Sequence, residues 1–327
     1  METVLVTGGT GLIGMEVVRL LCEQGLRPRV LVRRPRRGAL LHGLDVEPVQ
    51  GDLTRPASLR RAVEGVDTVV HLAARATMEP LDVLRPTIVD GTRDLAAAAA
   101  DAGVRHLLYA SSLLAHGAAT TAQPIDASTP PDPQVDYGRA KVEAEGVLRT
   151  IEAGAGPSVG IVRLPHVYGP GDLLFSRVRR GLLVTPGLGH NTYAHLHVVD
   201  AARLLVAAAR AGWDGTSATA DDTPATWKRF FATVSEHDAR FTHLPVPAPL
   251  ARAGAHVAAR LDRRPGPSMI TPDTVTGWNL AQPVAPGLVW DDLALRPTYP
   301  SIEQGIPAVL DASILFRWRH PVDDRRR

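Results

Sequence analysis

The chain has 327 residues, 45% of them hydrophobic, enough apolar material for a substantial core in one large α/β unit or in a nucleotide domain with a smaller second lobe. Its 36 basic and 34 acidic residues nearly cancel, so charge gives no reason to expect a polyanionic partner, nucleic acid included. One cysteine, Cys22, excludes an intrachain disulfide framework, and nothing from the N-terminal strand to the alanine-rich stretch bounded by Asp94 and Asp101 reads as a secretion signal or a membrane span, so a cytoplasmic location with no membrane partner is expected.

The apolar run VLVT predicts a short buried strand. Gly8, Gly11 and Gly14 of VLVTGGTGLIG then permit a tight turn, close approach of a pyrophosphate and packing of the next helix on the sheet, with Leu12 and Ile13 opening that helix in the same dinucleotide cradle. The helix runs through EVVRLLCEQG to about Gly25 and places Cys22 as a small core side chain, and the next strand is Arg29 to Arg33. A cofactor without a 2′-phosphate commonly meets an acidic residue about twenty positions after the first glycines. Here Arg33 and Arg34 offer cationic donors instead, which predicts NADP as cofactor, with NADPH preferred over NADH; Arg36 and Arg37 contribute or simply solvate the loop.

Val46 to Val49 reads as a third strand leading into GDLT. Asp52 and Leu53 are expected at the adenine edge, although Asp52 serves equally well as a cap for the helix beginning near Pro56. The run TVVHLAA, Thr68 to Ala74, restores a strand and lays Ala73 along the cofactor, Pro86 begins another helix, and Val104 to Tyr109 supplies the next strand. Five such alternations predict an open, mostly parallel α/β sheet. The strand ending near Tyr109 continues into Ala110, Ser111 and Ser112, and a strand end before a loop delivers Ser112 to a cleft. In YGRAK, the four-residue spacing of Tyr137 and Lys141 sets both on one helix face, where a phenol meets a ketone while an ammonium engages the cofactor ribose and favours the phenolate.

With these motifs the chain resembles the extended short-chain dehydrogenase/reductase family, including its NAD-dependent epimerase/dehydratase and 3β-hydroxysteroid-dehydrogenase-like branches. TGGTGLIG, GDLT, HLAA, the Ser112 region, YGRAK, VRLPHVYGPGD and HVVD occur in the family's order over most of the chain. The resemblance implies a Rossmann-type doubly wound parallel sheet with a smaller C-terminal substrate-binding lobe. It assigns Tyr137 as acid/base, Lys141 as the ribose-binding residue that lowers the tyrosine pKa, and Ser112 as the residue aligning the substrate oxygen, and it suggests a homodimer. Two positions depart from the pattern: Asp90 in IVDGT stands where many members have asparagine, and SSLLAHG lacks the tyrosine often found in sugar-nucleotide enzymes.

Val159 to Leu164 is the next strand, and it leads into PHVYGPGD, where Pro165, His166 and Val167 are expected on the cofactor side of a loop opening into the substrate lobe. His195 and His197 have no clustered partners in sequence, so no metal site is expected. A helix beginning near Val198 or Asp200 returns to the nucleotide domain, while Trp227, Phe230, Phe231 and Val234 have the spacing of a helix core. The expected division is residues 1–165 with return segments 192–222 for the cofactor, and residues 166–191 and 223–327 for a discontinuous substrate lobe.

The function expected from this reading is NADP(H)-dependent reduction of a carbonyl on a small non-nucleotide molecule, or oxidation of the corresponding alcohol. Two alternatives stand beside it. One is a sugar-nucleotide epimerase or dehydratase with an internal redox cycle, which needs an anion-binding surface such as Arg177, Arg179 and Arg180. The other is a catalytically inactive NADP(H)-binding regulatory protein.

Overall fold

A computed structural model describes residues 2–178, 181–238, 241–261 and 271–319. The first half alternates strand and helix: β1 (Val4–Thr7), α1 (Leu12–Glu23), β2 (Arg29–Val32), α2 (Pro35–Gly38), β3 (Glu47–Gln50), α3 (Pro56–Val63), β4 (Thr68–His71), α4 (Leu81–Arg85), α5 (Gly91–Asp101), β5 (His106–Ser112), α6 (Asp136–Ala153) and β6 (Ser158–Leu164). Beyond it lie β7 (His166–Tyr168), α7 (Leu173–Val178), β8 (Leu182–Pro186), β9 (Thr192–Tyr193), β10 (His195–His197), α8 (Val198–Ala211) and β11 (Thr216–Ala218). The chain continues through β12 (Ala225–Thr226), α9 (Trp227–His237), β13 (Thr242–Val246), α10 (Ala248–Leu261), α11 (Pro272–Asn279), α12 (Val289–Asp292) and α13 (Ile302–Arg319).

Seven strands form one parallel sheet in the order β11-β6-β5-β4-β1-β2-β3. The order reverses between β1 and β4, so a crevice opens at the carboxyl ends of those strands, where Thr7 pairs with His71. Strand alternation sorts the core into two layers. Val4 and Val6 pack with Val17, Val18 and Leu21 of α1 and Leu204, Leu205 and Ala208 of α8. Leu5 faces the other way, in a cluster with Leu59 of α3, Leu95 of α5 and Ala144 and Leu148 of α6. Edge strand β3 alternates half-buried and exposed residues and tolerates Pro48, whose missing N–H would break a central ladder.

A third cluster lies beyond the sheet, built from Tyr168, Phe175, Trp227, Phe230, Phe231, Ile302 and Ile306. The predicted aromatic core of α9 is therefore present. Residues 281–285 thread between the two halves: Gln282 bridges Tyr193, and Val284 bridges Ile125 in the loop after β5. The helix expected to begin at Pro86 instead starts at Leu81, and Pro86 opens a single π-helical turn, Pro86–Asp90, that joins α4 to α5. Cys22 is half-buried with its thiol donating to the Asp45 carbonyl at 3.4 Å.

Candidate active site

The crevice between β1 and β4 opens into a cleft of about 580 Å³. Its floor is the glycine turn. Gly8 has a φ of +73°, and a Cβ there would stand 2.7 Å from the Ala73 backbone nitrogen, so the turn and the segment after β4 approach as closely as backbone allows. A Cβ on Gly14 would meet the Gly8 carbonyl oxygen at 2.2 Å, which fixes α1 against the turn. No side chain caps the first turn of α1, whose N-cap is Gly11, so the N–H groups there face the cleft for an anionic ligand. An uncapped helix end behind a cradle that any Cβ would fill suits the pyrophosphate of a dinucleotide.

Gly8, Gly11, Leu12, Ile13, Gly14, Arg33, Arg34, Asp52, Leu53, Ala73, Ser112, Tyr137, Lys141, Pro165 and Val167 all line this cleft. His166 does not. Along β7 alternate side chains point oppositely, and His166 lies among Trp227, Phe230 and His195 on the far side, its Nδ1 3.1 Å from the Nδ1 of His195. Asp52 spends one carboxylate oxygen on the Thr54 N–H and hydroxyl, both at 3.0 Å, an Asx turn that holds the loop beside Leu53. Asp90 pairs with Arg93 at 2.6 Å on the helix surface, both about half exposed. Arg179 and Arg180 lie outside the described residues, as does the side chain of Arg177.

Two elements, β5 and α6, deliver the polar group at the far end of the cleft. β5 presents Ser112, whose Oγ accepts from the Leu114 N–H at 3.2 Å. α6 presents Tyr137 and, one turn on, Lys141. The Lys141 ammonium is 2% exposed, donates to the Ala110 carbonyl at 2.7 Å and lies 4.5 Å from the Tyr109 ring centroid and 5.8 Å from that of Tyr137. Burial lowers its pKa to about 7, against the opposing attraction of Glu145. Burial pushes the Tyr137 phenol up from its ordinary value. Behind them, His71 joins the hydroxyls of Thr7 at 2.7 Å and Thr92 at 3.0 Å, and desolvation, then the Lys141 charge, hold it down at about 3.

Sequence reasoning missed three lining residues with hydroxyl groups, among them Thr10 in the glycine turn. Ser111 lies beside Ser112 on the same strand end, and Thr87 sits on the π turn that Pro86 opens. The signal for Ser111 was present in the SS pair itself, but a strand's alternation would have pointed only one of the two toward the cleft.

Residues 4–219 match the family described as the NAD dependent epimerase/dehydratase family. Among curated proteins, the ceramide reductase of Caulobacter vibrioides is 36% identical over 211 residues, covering 63% of this chain and 61% of that protein. The chain thus spans about three fifths of that relative's length. Among solved structures, MoeE5 in complex with UDP-glucose and NAD is similar with a TM-score of 0.77 at 23% identity, over 96% of this chain and 99% of that one. The UDP-glucose 4-epimerase of Thermus thermophilus in complex with NAD gives 0.76 at 22%, over 95% and 99%.

These neighbours correct two expectations. NADPH was expected over NADH and an NADP-dependent enzyme inferred, yet both complexes hold NAD. Arg33 and Arg34 are exposed, and an exposed guanidinium can stack on an adenine face or stay solvated without any 2′-phosphate to bind. A small carbonyl or alcohol without a nucleotide was expected as substrate, whereas MoeE5 holds UDP-glucose in this fold. By its match over residues 4–219, the chain belongs to the NAD dependent epimerase/dehydratase family.

Proposed function

We propose that this protein carries out NAD-dependent redox chemistry on the sugar of a nucleotide-linked substrate, as an epimerase or dehydratase whose cofactor ends each cycle in its starting state. The observation that carries the reading is one continuous cleft running from the glycine cradle to Ser112, Tyr137 and Lys141. It is supported by likeness to MoeE5 and to the Thermus epimerase over nearly the whole chain.

The glycine turn and the first turn of α1 hold the pyrophosphate, Asp52 and Leu53 flank the adenine end, and Pro165 and Val167 close the nicotinamide end. The bound dinucleotide supplies reversible hydride transfer. Tyr137 takes the proton from the reacting hydroxyl as the carbonyl forms and returns it when the carbonyl is reduced, and Ser112 holds the same oxygen through its hydroxyl. Lys141, in its ammonium form, lies across the phenol's face and favours the phenolate that burial alone opposes.

The test is product analysis. Purified protein with NAD is incubated with UDP-glucose, UDP-glucuronic acid and UDP-N-acetylglucosamine, and each mixture is resolved by chromatography and proton NMR while absorbance at 340 nm is followed. Conversion to an epimer or a dehydrated sugar with no net NADH change is expected. An inert panel, with stoichiometric NADH loss on a ketone instead, overturns the reading.

A further inference from the structure

Directly beneath the cleft lies a buried polar cluster that the proton transfer does not use. Glu145, one helical turn beyond Lys141 on α6, is 6% exposed, and Arg163 near the end of β6 is 8% exposed. The Arg163 guanidinium donates to both Glu145 oxygens, Nε to Oε1 at 3.1 Å and Nη2 to Oε2 at 2.7 Å. The Ser111 hydroxyl donates to Oε1 as well. On the far side Arg163 Nη1 lies 3.1 Å from His116 Nε2, and His116 Nδ1 is 3.2 Å from the Pro130 carbonyl oxygen.

The cluster joins β5, α6 and β6. Ala110, Ser111 and Ser112 are consecutive on β5: the first takes the Lys141 ammonium, the second takes Glu145, and the third lines the cleft. Arg163 immediately precedes Leu164 and Pro165, both of which line the cleft. His116 adds the loop that leads from β5 toward α6. A buried pair in which each charge is hydrogen-bonded on more than one side fixes register, because a slip strands a charge away from water.

We propose that Glu145 is a positioning residue for the reaction: clamped by Arg163 and Ser111, it holds α6 in register with β5 and sets a buried carboxylate one helical turn from the Lys141 ammonium. The proposal rests on the catalytic assignment of Lys141 made above. The titratable groups around Lys141 are Tyr109 and Tyr137, over whose rings its ammonium lies, His71 of β4, whose ring packs on Tyr109, and Glu145 one turn on along α6. Those facing Glu145 are Arg163 and, beyond it, His116. His71 stays neutral well below neutral pH, and burial holds both phenols protonated, so the carboxyl of Glu145 is the acidic group among these neighbours of Lys141.

The chain has only two lysines, Lys141 and the exposed Lys228, and this makes a direct test possible. Protein grown with lysine labelled at the ε-carbon gives two NMR signals, and a pH titration reads Lys141 with Lys228 as the internal control. No substrate is needed, so a wrong substrate class leaves the result untouched. Glu145→Gln is expected to lower the Lys141 midpoint by at least half a pH unit. Glu145→Asp, which loosens the clamp but retains the charge, is expected to keep the midpoint within about 0.3 unit of the parent. If Glu145→Gln does not fold, the double variant Glu145→Gln with Arg163→Met, which strands no guanidinium, is compared with Arg163→Met alone, and its Lys141 midpoint is expected to be the lower of the two by at least half a pH unit. A Lys141 midpoint unchanged in whichever uncharged variant folds, or shifted equally by Asp and by Gln, overturns the proposal.

Discussion

Removing the phenolic oxygen of Tyr137 takes away a proton carrier and leaves a ring that packs against both the sheet-side core and Leu114. Tyr137→Phe is therefore expected to slow the chemical step by about 10²- to 10⁴-fold while NAD affinity stays within about twofold, the pattern of an interaction made only in the transition state. Single-turnover measurement of the oxidised sugar, with titration calorimetry for NAD, checks both halves. An intact variant with an undiminished chemical rate removes Tyr137 from the role of proton carrier. At this scale the sequence was informative wherever spacing fixed direction, as with Tyr137 and Lys141 one turn apart on α6. It put His166 on the cofactor side with Pro165 and Val167, whereas His166 sits between those two cleft residues in the chain and points away from the cleft in space.

The turn from β1 into α1 separates two kinds of glycine. A methyl group at Gly14 would stand 2.2 Å from the Gly8 carbonyl and 2.7 Å from the Gly9 Cα, both backbone atoms that move only with the whole turn. A methyl group at Gly11 would come no nearer than 3.2 Å to the Gly8 carbonyl. Gly14→Ala is thus expected to destabilise the fold by about 2 kcal/mol or more. Gly11→Ala is expected to keep the melting temperature within a few degrees while weakening NAD binding about tenfold, because Gly11 lines the cleft. Scanning calorimetry and NAD titration on the two variants separate these outcomes, and equal losses of stability would show that the turn does not distinguish them.

α6 is tied down at its other end by Arg149, which donates to the Val159 carbonyl at 2.8 Å, the Gly215 carbonyl at 3.1 Å and the Thr216 hydroxyl at 2.6 Å. Arg149→Met removes these three hydrogen bonds, the Gly215 carbonyl keeping only the Ile161 N–H, and is expected to cost about 1–3 kcal/mol in urea unfolding, with β11, the edge strand, losing hydrogen-exchange protection first. Protection lost evenly over the sheet would contradict this. Elements were readable where strong periodicity met a clear boundary, as in α1 and α8. α4 escaped because Pro86 reads as a helix start, and a proline opening a π turn inside a continuing helical path carries the same local signal.

Over the whole molecule, acid stability is set by histidines buried in neutral form. His71 is held at about 3 and His197 at about 4, in both cases chiefly by desolvation. The unfolded chain takes up these protons near pH 6.5 while the folded chain refuses them, so the unfolded state binds more protons between about pH 4 and 6.5 and stability falls as the pH drops through that window. Each histidine contributes a slope of at most about 1.4 kcal/mol per pH unit, and above pH 7 the two contribute none. Urea unfolding at pH 7, 6 and 5 should show the decline, and His71→Asn should make it shallower. A flat profile contradicts burial in the neutral form.

The parallel sheet, its crevice and most of the cleft's lining were legible because strand, glycine turn and helix follow one another within short stretches of sequence. The second lobe was not, because its core joins Tyr168, Trp227 and Ile306 across long separations that no periodicity records. The least visible contact belongs to Gln282. Fully buried, its amide donates to the carbonyls of Leu113, His116 and Gly117, at 3.2, 2.8 and 3.0 Å, in the loop that leaves Ser112. The family match covers residues 4–219, and Gln282 lies beyond it. The C-terminal third thus supports the loop that follows Ser112 as well as forming part of the second lobe, and exchanging that third wholesale would have to supply a new donor for those three carbonyls.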